Sequence, residues 1–199
     1  MTLRVVGAGL PRTGTSSLRT AWERLLPGAC CHMSALDGHP FDLGSGWDAA
    51  LHDRPVDWDD LLSPWIATAD WPASTFWREA LETSPDAVVV LSTRDSARTW
   101  WESMNSTVLH VMRSPDTPVE PNHLRDLLER FADGSGWDDR STMEAAYNDH
   151  NDVVRRDVPA GQLVEWRASE GWDPLAAALG VPVPDEAFPW NNRRENWRD

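Results

Sequence analysis

The sequence predicts one three-layer α/β/α domain built on a mostly parallel central sheet. Short apolar runs alternate with amphipathic helical segments along the chain, the pattern of successive βαβ units. The run Ala87-Val88-Val89-Val90-Leu91 shows no polar alternation, as expected of a strand covered on both faces. The first apolar run, Leu3 to Ala8, passes directly into a glycine-bearing turn and then into a helical pattern. At 199 residues the chain suits a single domain over residues 1–199.

In chain order the expected elements are a strand at 3–8, a helix at 15–26, a short extended piece near 29–33 and a Gly/Asp/Pro-rich connection over 37–57. A short strand at 66–70 precedes Pro72, which opens a helix to about Leu81 with Phe76, Trp77, Ala80 and Leu81 on one face. The buried strand 87–92 leads into a helix over about 96–112, with Ser96 as its N-cap. Helices at about 121–132 and 141–157 flank the loop Asp133-Gly134-Ser135-Gly136. A strand at 162–167, a helix at 173–179 ended by Gly180, and an irregular Pro-rich tail from Val181 complete the pattern.

Composition narrows the function. The net charge of −14 argues against a general nucleic-acid binder, which needs a positive face, whereas a mononucleotide needs only a local group of arginines. All 18 basic residues are arginine, so chemistry that requires a lysine is disfavoured. Cys30 and Cys31 are adjacent and lack both a disulfide framework and zinc-ligand spacing; they read as buried thiols, and no metal site is expected. No apolar stretch is long enough to span a bilayer and residues 1–30 lack signal-peptide character, so a soluble, cytoplasmic protein is expected. The 13 tryptophans are core residues or the lining of an aromatic pocket. Nothing in the sequence specifies an oligomeric state.

The turn Gly9-Leu10-Pro11-Arg12-Thr13-Gly14-Thr15-Ser16-Ser17-Leu18 places hydroxyls and amides at a helix N-terminus, where unpaired N–H groups and the helix dipole favour a phosphate. Gly9 and Gly14 keep the spacing of a nucleoside-triphosphatase loop, but Thr15 occupies its lysine position. A dinucleotide fingerprint fails as well, because its third glycine would fall at Arg12.

The segment Pro11-Arg12-Thr13-Gly14-Thr15-Ser16 resembles the one with which sulfotransferases hold the 5′ end of their donor, 3′-phosphoadenosine-5′-phosphosulfate (PAPS), with Arg12 where many members carry lysine. Further blocks resemble a bacterial and fungal sulfotransferase-like family: Cys31-His32-Met33, Asp70-Trp71-Pro72, Leu91-Ser92-Thr93-Arg94-Asp95, Tyr147 to Asn151, Gly171 to Leu175 and Gly180 to Pro184. Together they span nearly the whole chain. The resemblance implies a P-loop-like sulfotransferase fold that moves a sulfuryl group from PAPS, without a metal, to a hydroxyl, phenol or amine of a small-molecule acceptor.

It also implies a donor site of Pro11, Arg12, Thr13, Gly14, Thr15, Ser16 and Ser17, with Arg94 on the 3′-phosphate. The usual partner of that arginine is a serine eight residues later. Here position 102 is Glu and the serine is Ser103, so either the turn holds an extra residue or the partnership is lost. Arg12 is expected to face the charge that develops on the leaving phosphate. Two candidates for the base stand side by side: Asp70, which the family pattern aligns with a catalytic histidine, and His32, which titrates near neutrality unaided. Asp70 as a helix cap and His32 as a core residue are the alternatives. A nucleotide-binding module without catalysis and an atypical P-loop nucleotide kinase are the competing functions.

Overall fold

A computed structural model describes residues 2–118, 121–134 and 136–191. Its five-stranded sheet has β1 (Val5–Gly7) at the centre, flanked by β3 (Trp65–Thr68) and β4 (Val88–Ser92). Outside β3 lies β2 (Ala29–Cys31), and outside β4 lies β5 (Leu163–Trp166); every pairing is parallel.

Side-chain alternation divides the core between the two faces of this sheet. Val5 and Val90 pack with Leu18 and Trp22 of α1 (Thr15–Leu25), and with Leu175 and Leu179 of α9 (Asp173–Leu179). Val6, Val89 and Leu91 pack on the other side. There they meet Trp100 and Met104 of α5 (Ala97–Asn105), Leu127 of α7 (His123–Phe131), and Met143 and Tyr147 of α8 (Arg140–Asp157). Each fully buried Leu or Val contributes about 1.5–3 kcal/mol. That two-sided burial is why β4 reads as an uninterrupted apolar run.

The helix expected over 96–112 is two helices, α5 and α6 (Val108–Met112). Its break lies at Ser106 and Thr107, whose hydroxyls turn back onto main-chain carbonyls: Ser106 Oγ donates to Glu102 O at 2.9 Å and Thr107 Oγ1 to Ser103 O at 2.6 Å. The connection 37–57 contains α2 (Ser45–Leu51), and α3 (Trp58–Leu62), capped by the Asp57 carboxylate, follows it. After Pro72 the chain makes a 3-10 turn, Ala73–Phe76, before α4 (Trp77–Thr83). Ser96 does cap α5, its Oγ accepting from Thr99 N at 3.1 Å. Part of the loop 133–136 lies outside the described residues. Among the described residues no helix is long and apolar enough to cross a membrane.

Candidate active site

The loops at the carboxyl ends of β1, β3 and β4 converge on one cleft of about 570 Å³, the place where an open parallel sheet offers its ligand site. Close backbone packing sets the turn after β1. A Cβ on Gly7 would lie 2.3 Å from Thr68 O, and one on Gly9 would lie 1.9 Å from Ser92 Oγ, so neither position admits a side chain. Gly14 has φ 102 and directly precedes α1.

The loop carbonyls are occupied by neighbours. His150 Nε2 donates to Ala8 O at 2.7 Å, Thr13 Oγ1 to Leu10 O at 2.6 Å, and Trp100 Nε1 to Pro11 O at 2.9 Å. Thr13 Oγ1 also shares a 2.6 Å hydrogen bond with Ser92 Oγ, tying the loop to the end of β4. With its carbonyls bonded, the turn can present Gly14, Thr15, Ser16 and Ser17 to the cleft, which all four line.

Two arginines meet there. Arg12, buried and at φ 68, donates from Nε to Ser103 Oγ at 3.2 Å. Burial, together with the positive charge of Arg94 and against the pull of Asp70, holds the Arg12 guanidinium below the usual arginine range. Arg94 is held through its main chain, whose N–H donates to Tyr147 Oη at 2.9 Å. Its side-chain Nε is buried without a hydrogen-bond partner among the described residues. The neighbouring Asp95 lies 3.7 Å from Arg167, so Arg94 is not the partner the chain offers Asp95. A buried guanidinium at Arg12 beside a second arginine whose Nε is a donor to spare suits a multiply charged anion.

His32 and Asp70 line the same cleft side by side. His32 Nδ1 accepts the Ser34 backbone N–H at 3.1 Å, so the neutral ring carries its proton on Nε2, 3.1 Å from Asp70 Oδ2. The contact is close but off-line: His32 Nε2 makes no directed hydrogen bond, and buried Asp70 Oδ1 has none either among the described residues. Burial outweighs the pull of Asp70 and lowers the His32 pKa, keeping the ring neutral. The Asp70 side chain caps no helix; only its carbonyl bonds Ser74 N, at 2.9 Å, at the turn after Pro72.

The cleft has two ends. Ala168, Trp190 and Asn191 stand with the Gly9–Ser17 turn and Arg94 at one, where Asn191 N donates to Ser17 Oγ at 3.0 Å. At the other, Met33, Pro40, Phe41, Val108, Val111 and Leu124 make an apolar wall relieved by Ser34 and His39. The expected residues Pro11, Arg12, Gly14 to Ser17, His32, Asp70 and Arg94 all line this one cleft. Thr13 braces the loop from behind, and Ser103 reaches the site through Arg12. Among the described residues Trp71 and Trp190 are the tryptophans on the cleft; Trp22, Trp100 and Trp166 are core. Both cysteines are free and buried, and burial pushes the Cys31 thiol up to about 12. Among the described residues no group of three His, Cys, Asp or Glu side chains is arranged to hold a metal.

Sequence reasoning did not find Tyr147 as the support of Arg94; for the pocket lining it pointed only to the segments 37–57, 113–140 and the tail, which hold Pro40, Phe41, Leu124, Trp190 and Asn191 but not Met33, Val108 or Val111. Tyr147 stands in a block already singled out, but the wall residues come from segments with no distinguishing pattern. A family model described as a sulfotransferase domain matches residues 4–197 of the chain. A relative from Aspergillus versicolor, named Ava biosynthesis cluster protein M, is 30% identical over 211 residues, covering 94% of this chain and 80% of the relative.

Proposed function

The chain belongs to the sulfotransferase domain family, and from that premise we propose that it transfers the sulfuryl group of PAPS to a hydroxyl, phenol or amine of a small, largely apolar acceptor. The observation that carries the donor assignment is the buried, unpartnered Nε of Arg94 beside Arg12. A 3′-phosphate on Arg94 would give its Nε an acceptor, and a 5′-phosphosulfate would lie between Arg12 and the turn Gly14 to Ser17.

In the proposed reaction the acceptor oxygen or nitrogen attacks sulfur from the apolar end. Asp70 takes the acceptor proton on a carboxylate oxygen, and His32, neutral and with Nε2 3.1 Å from Oδ2, lies beside that carboxylate. The S–O bond to the 5′-phosphate breaks, and Arg12 stabilises the charge left on adenosine 3′,5′-bisphosphate. Ser103 holds the Arg12 fork in place. No metal is assigned a step.

The apolar wall and the lack of a cation among its described residues support an uncharged acceptor. The relative's name, which places it with a biosynthesis cluster, supports a small molecule. Two free buried thiols fit a cytoplasmic enzyme.

The direct test incubates the protein with PAPS and a panel of phenols, alcohols and amines and follows adenosine 3′,5′-bisphosphate release with formation of the sulfated product. Binding of the bisphosphate without release from PAPS across the panel would replace this reading by that of a nucleotide-binding module.

A further inference from the structure

The apolar end of the cleft depends on a loop in an unfavourable conformation. Pro40 and Phe41 line that end, and Phe41 has φ 66, a left-handed backbone that a bulky residue adopts only when its surroundings impose it. The Phe41 N–H bonds His39 Nδ1 within the loop, and His123, the first residue of α7 and buried to 5% exposure, ties the loop to the rest of the fold. Its main-chain N–H, one of the donors a helix start leaves open, bonds Phe41 O at 2.9 Å. Its ring Nδ1 accepts Leu43 N–H at 2.9 Å. Both sides of the Phe41–Leu43 turn are therefore fastened to one residue.

The ring is itself fixed. With Nδ1 accepting a backbone N–H, the proton sits on Nε2, which donates to Asp48 Oδ1 on α2 at 3.2 Å. Asp48 is in turn paired with Arg54, and Asp42 stands 3.9 Å from Nδ1, beyond hydrogen-bond range. Leu124, the next residue on α7, lines the same end of the cleft as Phe41. One histidine thus sets the spacing between two walls of the pocket without touching what the pocket holds.

We propose that His123 is a positioning residue for acceptor recognition: through Nδ1 it holds the Phe41 loop against α7 and so fixes the width of the acceptor pocket. This role rests on the reading of the apolar end as the acceptor site. It is independent of the donor end, which lies on the phosphate loop, and so predicts a change in acceptor affinity alone.

The two amide replacements separate the ring nitrogens. His123→Asn can place a carbonyl oxygen near the Nδ1 position and keep the Leu43 bond, whereas His123→Gln reaches toward Asp48 and offers nothing to Leu43. With 2-naphthol as the probe, in the presence of adenosine 3′,5′-bisphosphate, His123→Gln is expected to weaken naphthol binding about tenfold, as for loss of one buried hydrogen bond. His123→Asn should stay within about threefold, and bisphosphate affinity should change in neither. In the unmodified protein the ring 15N shifts should report the Nε2–H tautomer. An Nδ1–H tautomer, equal effects of the two variants, or parallel losses of naphthol and bisphosphate binding would each overturn the proposal. If the unmodified protein binds the bisphosphate but no naphthol while showing the Nε2–H tautomer, the acceptor reading fails and takes the recognition role with it, leaving a purely structural latch.

Discussion

The Nε2 of His32 stands 3.1 Å from Oδ2 of Asp70, and the Ser34 N–H bonded to Nδ1 leaves the imidazole only one proton to turn toward that carboxylate. The pair is thus asymmetric: the ring keeps its proton on the nitrogen nearer Asp70, although the contact is too far off-line for a directed hydrogen bond. Asp70→Asn, which removes basicity at nearly constant size, is expected to lower turnover by roughly 10² or more with donor binding intact. His32→Gln can still direct an N–H at Asp70 and should cost about tenfold. Reversal of that order in steady-state kinetics would make His32 the base.

The two arginines are expected to differ in kinetic signature. Arg94→Ala should chiefly raise the Michaelis constant for PAPS, whereas Arg12→Ala should also lower turnover, because its charge meets one that grows during transfer. An effect of Arg12→Ala confined to the Michaelis constant would remove its transition-state role.

Metal and nucleotide dependence discriminate against a kinase. Activity should persist in excess chelator, and ATP should not be hydrolysed, since no lysine is present to clamp its outer phosphates. Magnesium-dependent phosphate release from ATP that disappears on Gly14 substitution would favour the kinase reading.

Stability should fall as the pH drops below neutrality. Burial lowers the pKa values of His32, His39 and His150 in the fold, so below the ordinary histidine value of about 6.5 the unfolded chain binds more protons. The stabilisation they provide is present above that value and is lost as the pH falls through their folded values, by up to ~1.4 kcal/mol per pH unit for each of His32 and His150 and by less for the more exposed His39. Melting temperatures between pH 7.5 and 5 should decline, and His150→Gln should flatten the decline. An unchanged slope in that variant would exclude His150 as a contributor.

The phosphate loop should tolerate no enlargement at Gly9. A methyl group there would meet Ser92 Oγ at 1.9 Å and Ser92 N at 2.7 Å, so Gly9→Ala should cost about 1–3 kcal/mol by overpacking and displace the Ser92–Thr13 bond. Denaturant titration with bisphosphate binding reads both effects. Wild-type values for both would contradict the observed packing.

The fold was legible where local pattern and tertiary burial agree. The Val88–Val90 run, the Gly9–Gly14 turn and the Ser96 cap announce themselves, and the structure contains a buried strand, a loop before a helix and a capped helix at those places. The break at Ser106 and Thr107 was not legible, because each hydroxyl had two outcomes, solvent or a carbonyl one turn back, that only packing decides. The site divides in the same way. Asp70 and Arg94 stand just beyond β3 and β4, and Arg12 lies in the turn after β1, so their convergence follows from the sheet, whereas Phe41, Val108 and Leu124 reach the cleft through irregular connections and short helices. Ser103 illustrates the intermediate case: its offset from Arg94 left its partner open, and its hydroxyl lies on Arg12.

The strand order β2-β3-β1-β4-β5 also governs when the site comes into being. The residues grouped at the cleft come from separate strand–helix connections, and Arg12 and Ser103, hydrogen-bonded to each other, are 91 residues apart. Such non-local closure makes the site a late product of folding. The last strand matters as well, since Thr93 N, next to Arg94, donates to Trp166 O at 3.0 Å, and Trp166 packs against Gly14. A ribosome-bound chain that has not yet released β5 therefore lacks the support on which both the phosphate loop and the Arg94 turn rest. Retention of such stalled chains on an immobilised bisphosphate should begin only once Trp166 has left the exit tunnel, making nucleotide capture a reporter of completed folding rather than of early collapse.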